Sequence, residues 1–485
     1  MRRNEGFLLA TVLAVMVLVF LLTMSMSSLA TTSLRVAENR RDRVVAEQAA
    51  EAGLALAMAQ IEATEEPPAE ISGTCGDGVN CTYQATLKDT NELGTLYEVH
   101  AKGYGEKNAE REIAALVYRS YGEPVVNPIF GQGLVSKDRV DVNGAMIMHG
   151  VIHGDHGFSM DGMVNFLAGG ATASCPSEEI PEDSCFCMTH PPRPEYCFMG
   201  KPRHVVPPAD IGDPSDHIEA LWEKYKEPPP EDGFDTVIEG DLLITNSAQL
   251  AALGHRVRVI NGNVMISSDL QAENIEFVLD DDRVLHVSGS ADLSSVKIWA
   301  GGIVIDSNAD LDDVKLFAKN RVVFNGVIEP AHDVVIVADD VATNGFADFY
   351  DSKILVEKDY IANGNMRFHG ESTIVSKGNL VFNGYSVVEG NIEDDEAVKA
   401  PTVIAKGNIA FNGMGNPLVM VMWAGGNVVI NDGASMLYGG VLAQGRILKN
   451  GASGIFARIV DNEDLPTVDT FDGVKVLSRT VVFGD

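Results

Sequence analysis

Apolar and polar positions follow three different rhythms along this chain, and each predicts a different element. From Gly6 to Leu34 there is no charged residue, and Phe7 to Leu22 is almost wholly apolar. A helix needs roughly 20 such residues to cross the hydrocarbon core of a bilayer, so this run predicts a transmembrane helix. Ala37 to Glu62 is rich in strong helix formers, with Gly53 the weak link and no proline before Pro67. The helix is therefore expected to span 7–62, a rod of about 84 Å at 1.5 Å per residue. Ala46, Ala49, Ala50, Gly53 and Ala57 recur three and four apart, so one face is made of small residues that let a neighbouring helix approach closely.

The second rhythm is alternation. Glu65-Glu-Pro-Pro68 ends the helix and opens a linker. Cys81 to Leu87, Thr95 to Gly103 and Ala109 to Tyr118 then alternate apolar with polar residues around a turn at 105–108, which predicts a small antiparallel β meander within 63–122.

The third rhythm is a long period. Asn325-Gly, Asn344-Gly, Asn363-Gly and Asn383-Gly stand 19, 19 and 20 residues apart, and Asn412-Gly, Asn431-Asp and Asn450-Gly follow at intervals of 19. A fixed period of this length marks a solenoid whose coils bury one shared core. Runs such as Asn379-Leu-Val-Phe-Asn and Asn408-Ile-Ala-Phe-Asn read as half-buried strands, giving a large parallel β-helix over 236–460, right-handed by fold analogy alone. Asn-Gly is expected to supply corners with φ above zero. Asn143-Gly and Asp161-Gly place the first coils at 123–167, and 461–485 is left as a C-terminal tail. Between the two blocks, 168–235 loses the period, is dense in proline and holds four cysteines, which predicts an insertion projecting from the solenoid. Within it, Ser215 to Lys226 reads as a capped amphipathic helix.

Arg2-Arg3-Asn-Glu-Gly6 followed by Phe7 and the apolar run resembles a class III prepilin leader, and Ala37 to Leu54 resembles the PilX-type minor pilins of the type IV pilus and pseudopilin family. The resemblance covers about the first 120 residues of the sequence. It implies cleavage after Gly6 by a prepilin peptidase, N-methylation of Phe7, single-pass insertion in the inner membrane and burial of the helix among other pilins. Residues 1–6 are then the leader. The family places a Glu at the fifth residue after the cut, whereas this chain has Thr11. A large pseudopilin of the family also lacks that acid and sits at the filament tip, so the resemblance points to a tip or priming subunit. Two other readings stay open: a secretory signal cleaved after Ser28-Leu-Ala30, and a plain signal anchor.

A net charge of −33 argues against nucleic acid and anionic lipid surfaces as partners. The six cysteines, Cys75, Cys81, Cys175, Cys185, Cys187 and Cys197, read as disulfides in an exported chain, with Cys75 and Cys81 the easiest local pair. Zinc on the later four with His190 is the lesser reading, since no C-x-x-C is present. His149, His153, His156 and Asp155 have metal-like spacing, but the surrounding glycines favour solenoid corners. Asp306, Asn308, Asp310 and Asp312 alternate and would offer oxygens to calcium on one side of a strand, or form a solvated face. No cofactor is otherwise implied. Parallel β-helices also host polysaccharide lyases and hydrolases, for which Asp280-Asp-Asp-Arg283 is the nearest carboxylate run, but a linear run lacks the separation general acid–base chemistry needs.

These features together predict a non-enzymatic, tip-located minor pilin that displays a β-helix for adhesion to an unknown surface ligand. Its packing residues are expected at Thr11, Ala46, Ala50, Gly53 and Ala57. The alternatives are an anchored surface β-helix outside any pilus, or a polysaccharide-degrading β-helix.

Overall fold

Helix α1 (Glu5–Ala63) runs unbroken in the computed structural model, which describes residues 5–64, 67–76, 79–90, 94–107, 109–120, 125–161, 164–173, 203–205, 211–267, 269–384, 386–389, 398–456, 458, 460–468 and 473–483. Its last turn is closed by the Thr64 hydroxyl, which donates to the carbonyls of Gln60 and Ile61 at 2.9 and 3.0 Å. Among the described residues no helix is long and apolar enough to cross a membrane. The side chains of 5–34, Met16 excepted, lie outside the described residues, and the expected membrane segment falls there.

Strands β1 (Glu70–Thr74), β2 (Cys81–Thr90), β3 (Gly94–Tyr104) and β4 (Glu110–Ser120) pair antiparallel in chain order. A disulfide between Cys75 and Cys81, with Cα atoms 5.2 Å apart, ties the end of β1 to the start of β2. The other four cysteines lie outside the described residues. The expected three-strand meander is larger than its local pattern implies. The strand Gly473–Phe483 pairs antiparallel with β4 and completes a five-stranded sheet, so the end of the chain is structural rather than a tail. The free edge of β4 needs a partner, and only a distant segment is placed to provide it.

Beyond residue 130 the chain winds into a parallel solenoid. A representative coil consists of Lys353–Val356 on the first face, Tyr360–Ala362 on the second and Met366–His369 on the third. Each strand pairs in parallel with its equivalents in the coils before and after: Ile354 with Ile336 and Ile374, and Ile361 with Ala342 and Val381. Inward residues therefore stack on their own kind, as Phe382 does on Phe411 with ring centroids 4.3 Å apart.

The corners obey the same rule, and they correct the expectation about Asn-Gly. The Asn325, Asn344, Asn363, Asn383, Asn412, Asn431, Asn450 and Asn143 side chains form one ladder, each amide donating to the carbonyl of its neighbour, for example Asn363 to Asn344 and Asn383 to Asn363 at 3.0 Å. Asp306, which can only accept, takes the amide of Asn325 and ends the ladder. None of these asparagines has positive φ, and of the paired glycines only Gly144 and Gly451 do. Gly326, Gly345, Gly364 and Gly384 are required for room instead, because a Cβ there would strike the backbone carbonyl of the preceding coil. Positive φ belongs to the corner between the third and first faces, at Asn274, Ser295, Asp313, Asp333, Asp351 and Gly370.

Coil order is not chain order. The first coils, expected at 123–167 and formed by strands within 133–173, stack on the last coils of the solenoid: Leu134 pairs with Val441, Val140 with Ile447 and Met146 with Ser453. The chain thus winds coils at the base, travels to the far end, and coils back from Thr236 to Phe456. The described part of the return, 211–235, lies along the first face as a strap rather than projecting. It passes Gln444 at Gly212, Trp423 at His217, Lys377 at Trp222, Lys315 and Lys297 at Glu227, and Arg256 at Asp235. Its helix Ser215–Tyr225 begins after Pro214 without the side-chain cap expected of it, although the Asp213 carboxylate accepts from the Ser215 amide at 2.8 Å, and it buries Ile218, Leu221 and Trp222. The outward first-face row Val278, Trp299, Phe317, Val337 and Leu355 belongs to the same apolar cluster.

Asp464 latches the strap. Fully buried, it accepts from Lys224 at 2.8 Å, Tyr225 at 2.7 Å and Thr373 at 2.8 Å, and pairs with Lys353 at 2.8 Å. Burial works against its charge, but Lys353 and these donors outweigh it and hold its pKa below the ordinary carboxylate value. Asp464→Ala leaves the buried Lys353, among the described residues, only the longer carboxylate contact with Glu463 at 3.4 Å, and we expect a loss of about 3 kcal/mol in chemical denaturation together with faster proteolysis of the strap. Because the folded pKa is depressed, the contribution is present above the unfolded carboxylate pKa and fades as pH falls through the folded one. At the corner ladder, Asn363→Ala should cost about 1 kcal/mol as exposed amide bonds are lost. Gly364→Ala should cost about 1–3 kcal/mol, because the added methyl meets backbone that cannot yield. Equal, negligible effects in denaturant melts would refute both assignments.

Candidate assembly and binding surfaces

The residues expected to mediate processing and helix packing fall into two groups. Gly6, Phe7 and Thr11 lie on α1, but their side chains are outside the described residues. Ala46, Ala50, Gly53 and Ala57 are described, and they face inward. Ala46, Ala50 and Ala57 are fully buried, and Ala50 and Ala57 share a core with Leu54, Ile61, Tyr97, Val99, Ala101 and Ile113. A Cβ on Gly53 would meet Cys81 Sγ at 3.1 Å and Ala101 Cβ at 3.3 Å. One on Gly103 would strike the helix backbone at Ala46 and Ala50. The small residues therefore bring α1 against its own sheet, backbone to backbone, and this face is closed to neighbouring helices.

What α1 leaves exposed is a mixed basic and apolar flank: Arg40, Arg41 and Arg43 with Val36, Val44, Val45 and Leu56. Asp42 is the exception, buried because its carboxylate accepts the Lys107 and Ala109 amides at 2.9 and 3.1 Å. That clamp, helped by the Glu38–Lys107 ion pair, fixes the β3–β4 turn to the helix.

The opposite face of the sheet carries charge. His100 lies between Glu112 at 2.7 Å and Glu98 at 2.9 Å, with Lys88 on Glu98 and Lys102 on Glu112. The hydrogen bond to Glu112, then that to Glu98, push the imidazole up to about 9. Nearby, Arg458 of the solenoid base reaches Asp89 of β2 at 3.1 Å. The strand Val164–Ala173 rests against β4 and Gly473–Phe483. The sheet is thus clamped between α1 and the first-wound coils.

On the solenoid, the calcium candidates separate. Asp306 ends the asparagine ladder and accepts from His286 at 2.6 Å, whereas Asp310 and Asp312 lie exposed on the third-face strand Ala309–Asp312. Asp310 lines an open cleft of about 690 Å³ with Asp269, Gln271, Asp292 and Glu329. Desolvation and then the facing Asp292 raise its pKa. Further along this face His332, Tyr350 and His369 stack at 4.5 and 4.1 Å between centroids. Both faces of the central Tyr350 ring are thereby covered.

The remaining sequence candidates are engaged in ion pairs or buried. Asp280 accepts from Arg258 at 2.6 Å and the Asn261 amide at 2.7 Å, Asp281 pairs with Lys319 and Asp282 with Arg283, so the acidic run is divided among separate ion pairs. His153 is buried beside Asp155 at 2.7 Å, His156 pairs with Asp138 at 3.2 Å, and burial holds the His149 imidazole below its usual pKa. Among the described residues no cluster of His, Cys, Asp or Glu has the geometry to hold a metal. Sequence reading missed the His100 cluster, whose signal was the outward, alternating charges Glu98, His100 and Lys102 on one strand.

Since the folded pKa of His100 lies above the unfolded value, its contribution is complete below about pH 6.5 and is lost as pH rises through about 9. His100→Phe should therefore narrow the gap in melting temperature between pH 6 and pH 10, and an imidazole resonance titrating near 6.5 in the folded chain would exclude the assignment.

No protein-family model matches the chain. Comparison with curated proteins finds no match. Among solved structures the chain is similar to the competence-associated pilin ComZ from Thermus thermophilus, at 11% identity and a TM-score of 0.23, over 91% of this chain and 97% of that one. At that score the likeness does not establish a shared fold.

Proposed function

We propose that the chain is a minor-pilin-like structural subunit of a type IV pilus-type filament, and that it uses its solenoid for display rather than catalysis. The observation that carries this reading is the division of α1. Its second half is clamped to an antiparallel sheet through Ala50, Gly53, Ala57 and Asp42, and its backbone continues unbroken as helix from Glu5 up to that clamp. A long helix anchored to a folded sheet at its C-terminal end is suited to insertion in the inner membrane and then in a bundle of other pilins. The apolar run from Phe7 supplies the surface for both.

In this reading the leader ends at Gly6, a prepilin peptidase exposes Phe7, and methylation follows. Thr11 in place of an acid, and a solenoid too bulky to repeat along a thin shaft, favour the tip. The small-residue face is taken up by the chain's own sheet, so contacts to other subunits come from the exposed flank at Val44, Val45 and Leu56 and from residues nearer the N-terminus. The solenoid then stands outside the membrane and presents its bare faces to a surface ligand.

The test is the mass of the N-terminal peptide of the protein recovered from membranes. A chain beginning at N-methylated Phe7 is the expected result. One beginning at Met1 or Thr31 would overturn the reading and leave an anchored or secreted β-helix.

A further inference from the structure

Asn-Gly is the dipeptide most prone to lose ammonia, because glycine has no side chain to hinder its backbone nitrogen from closing on the preceding carboxamide. The sequence holds eight such pairs, and seven of them are rungs of the corner ladder. Six of these rungs, from Asn325 to Asn450, donate through Nδ2 and accept through Oδ1. Asn143, the rung at the base, donates to Asn450 at 2.7 Å and, among the described residues, accepts nothing. The eighth pair, Asn261-Gly262, stands apart. It lies near the far end, at the corner between the strands Arg256–Ile260 and Val264–Ile266 of the first and second faces. Asn261 is exposed and takes a φ of 55°, which no ladder asparagine does. Its backbone N–H donates to the Asp280 carboxylate at 2.7 Å, but among the described residues neither its carboxamide nor the Gly262 amide has a hydrogen-bond partner.

We propose that Asn261 is a site of spontaneous covalent modification, the point at which the folded chain deamidates, and that the ladder shields the other seven pairs. In the first step the Gly262 amide gives its proton to hydroxide, and its nitrogen attacks Cγ of Asn261. A C–N bond forms, the Cγ–Nδ2 bond breaks, and Nδ2 takes a proton from water and leaves as ammonia. Water then adds to either carbonyl of the five-membered imide and reopens it as aspartate or isoaspartate. One water is consumed, one ammonia is released, and nothing is oxidised or reduced. A ladder asparagine must break two hydrogen bonds before its carboxamide can turn towards the next nitrogen, which slows the step by at least about ten-fold. At Asn363 the nucleophile is held as well, since the Gly364 amide donates to the Thr343 carbonyl at 3.2 Å. The corner at Gly262 cannot absorb the product. A Cβ on Gly262 would strike the Gly240 carbonyl of the first coil, and isoaspartate lengthens the backbone beside it by a methylene. The bonds that hold the first coil flank this point: Gly240 N–H to the Ile260 carbonyl at 2.9 Å, Leu242 N–H to the Asn263 carbonyl at 2.8 Å, and Asn263 N–H to the Asp241 carboxylate at 2.8 Å. Conversion of Asn261 therefore loosens the outermost coil and leaves the ladder intact.

The test incubates the full chain in detergent micelles at mildly alkaline pH and follows each Asn-Gly peptide by mass spectrometry, which reads the exchange of amide for acid. Asn261 should convert at least about ten-fold faster than the doubly bonded rungs, with Asn143 between them. In denaturant all the pairs should convert at similar rates. Asn363→Ala removes one bond from Asn344 and one from Asn383, and should speed conversion at those two while leaving Asn261 unchanged. As Asn261 converts, hydrogen exchange at the Gly240 and Leu242 amides should rise. Asn261→Gln, whose longer side chain closes a ring far more slowly, should suppress both changes. Equal rates at all the pairs in the folded chain overturn the proposal, as does conversion of Asn261 no faster than that of the rungs, or conversion that leaves exchange at Gly240 and Leu242 unmoved. If Asn363→Ala unwinds the solenoid, the ranking in the unsubstituted chain, folded against denatured, decides by itself. None of these outcomes bears on N-terminal processing, which is read separately by the mass of the first peptide.

Discussion

Parallel, in-register stacking of coils is the constraint on which the rest of the solenoid depends. Each strand pairs with the same strand one coil away, so every side chain sits directly above its own equivalent and like must tolerate like. Asparagine satisfies this condition because its amide both donates and accepts, and a column of them pairs without remainder. Aspartate accepts only, so it stands where a column stops, at Asp306 and Asp359. Phenylalanine tolerates itself by stacking, as Phe382 and Phe411 do. Glycine at 326, 345 and 364 answers the same requirement, because successive corners approach until only backbone fits.

A stack of coils leaves two ends and three faces to settle. At the base, coils 133–173 sit between the last-wound coil and the five-stranded sheet, so that end is buried by the domain that carries the helix. At the far end the first coil has the helix Ser247–Ala251 where others have a third-face strand. The strap joining the two ends covers the most apolar face, and Asp464 holds it with ion pairs reaching from both sides. The chain enters and leaves the solenoid at its base, so both connections to the sheet lie at that end.

The junction with α1 follows a related principle of close approach. Ala46, Ala50, Gly53 and Gly103 remove side-chain bulk where helix and strand cross, and Asp42 supplies the polar contact that sets the level of the helix against the turn. The outer face of the sheet is held by the Glu98, His100 and Glu112 cluster, beside the contact of Arg458 with Asp89. The result fixes the sheet to the second half of a long helix.

Much of this was legible locally. The unbroken run of helix formers determined α1, alternation determined β2 to β4, a six-residue separation allowed Cys75 to pair with Cys81, and the recurring asparagines determined that there is a solenoid. Each depends on interactions between neighbours or on a period, and a sequence displays both. Long-range contact decided the remainder. Nothing local distinguishes a coil that opens a stack from one that ends it, so the place of 133–173 on Val441 and Ile447 followed only from which surfaces met. The small face of α1 fits a neighbouring helix or a strand equally well, and Gly103 opposite Ala46 and Ala50 decided for the strand. Asn-Gly was read as a demand for positive φ, whereas the Asn amide bonds to the preceding coil and the glycine makes room for that coil's backbone. Residue identity along the chain determined the elements and their repeat; the order of stacking, the faces left bare and the purpose of each small residue were decided by contacts between segments hundreds of residues apart.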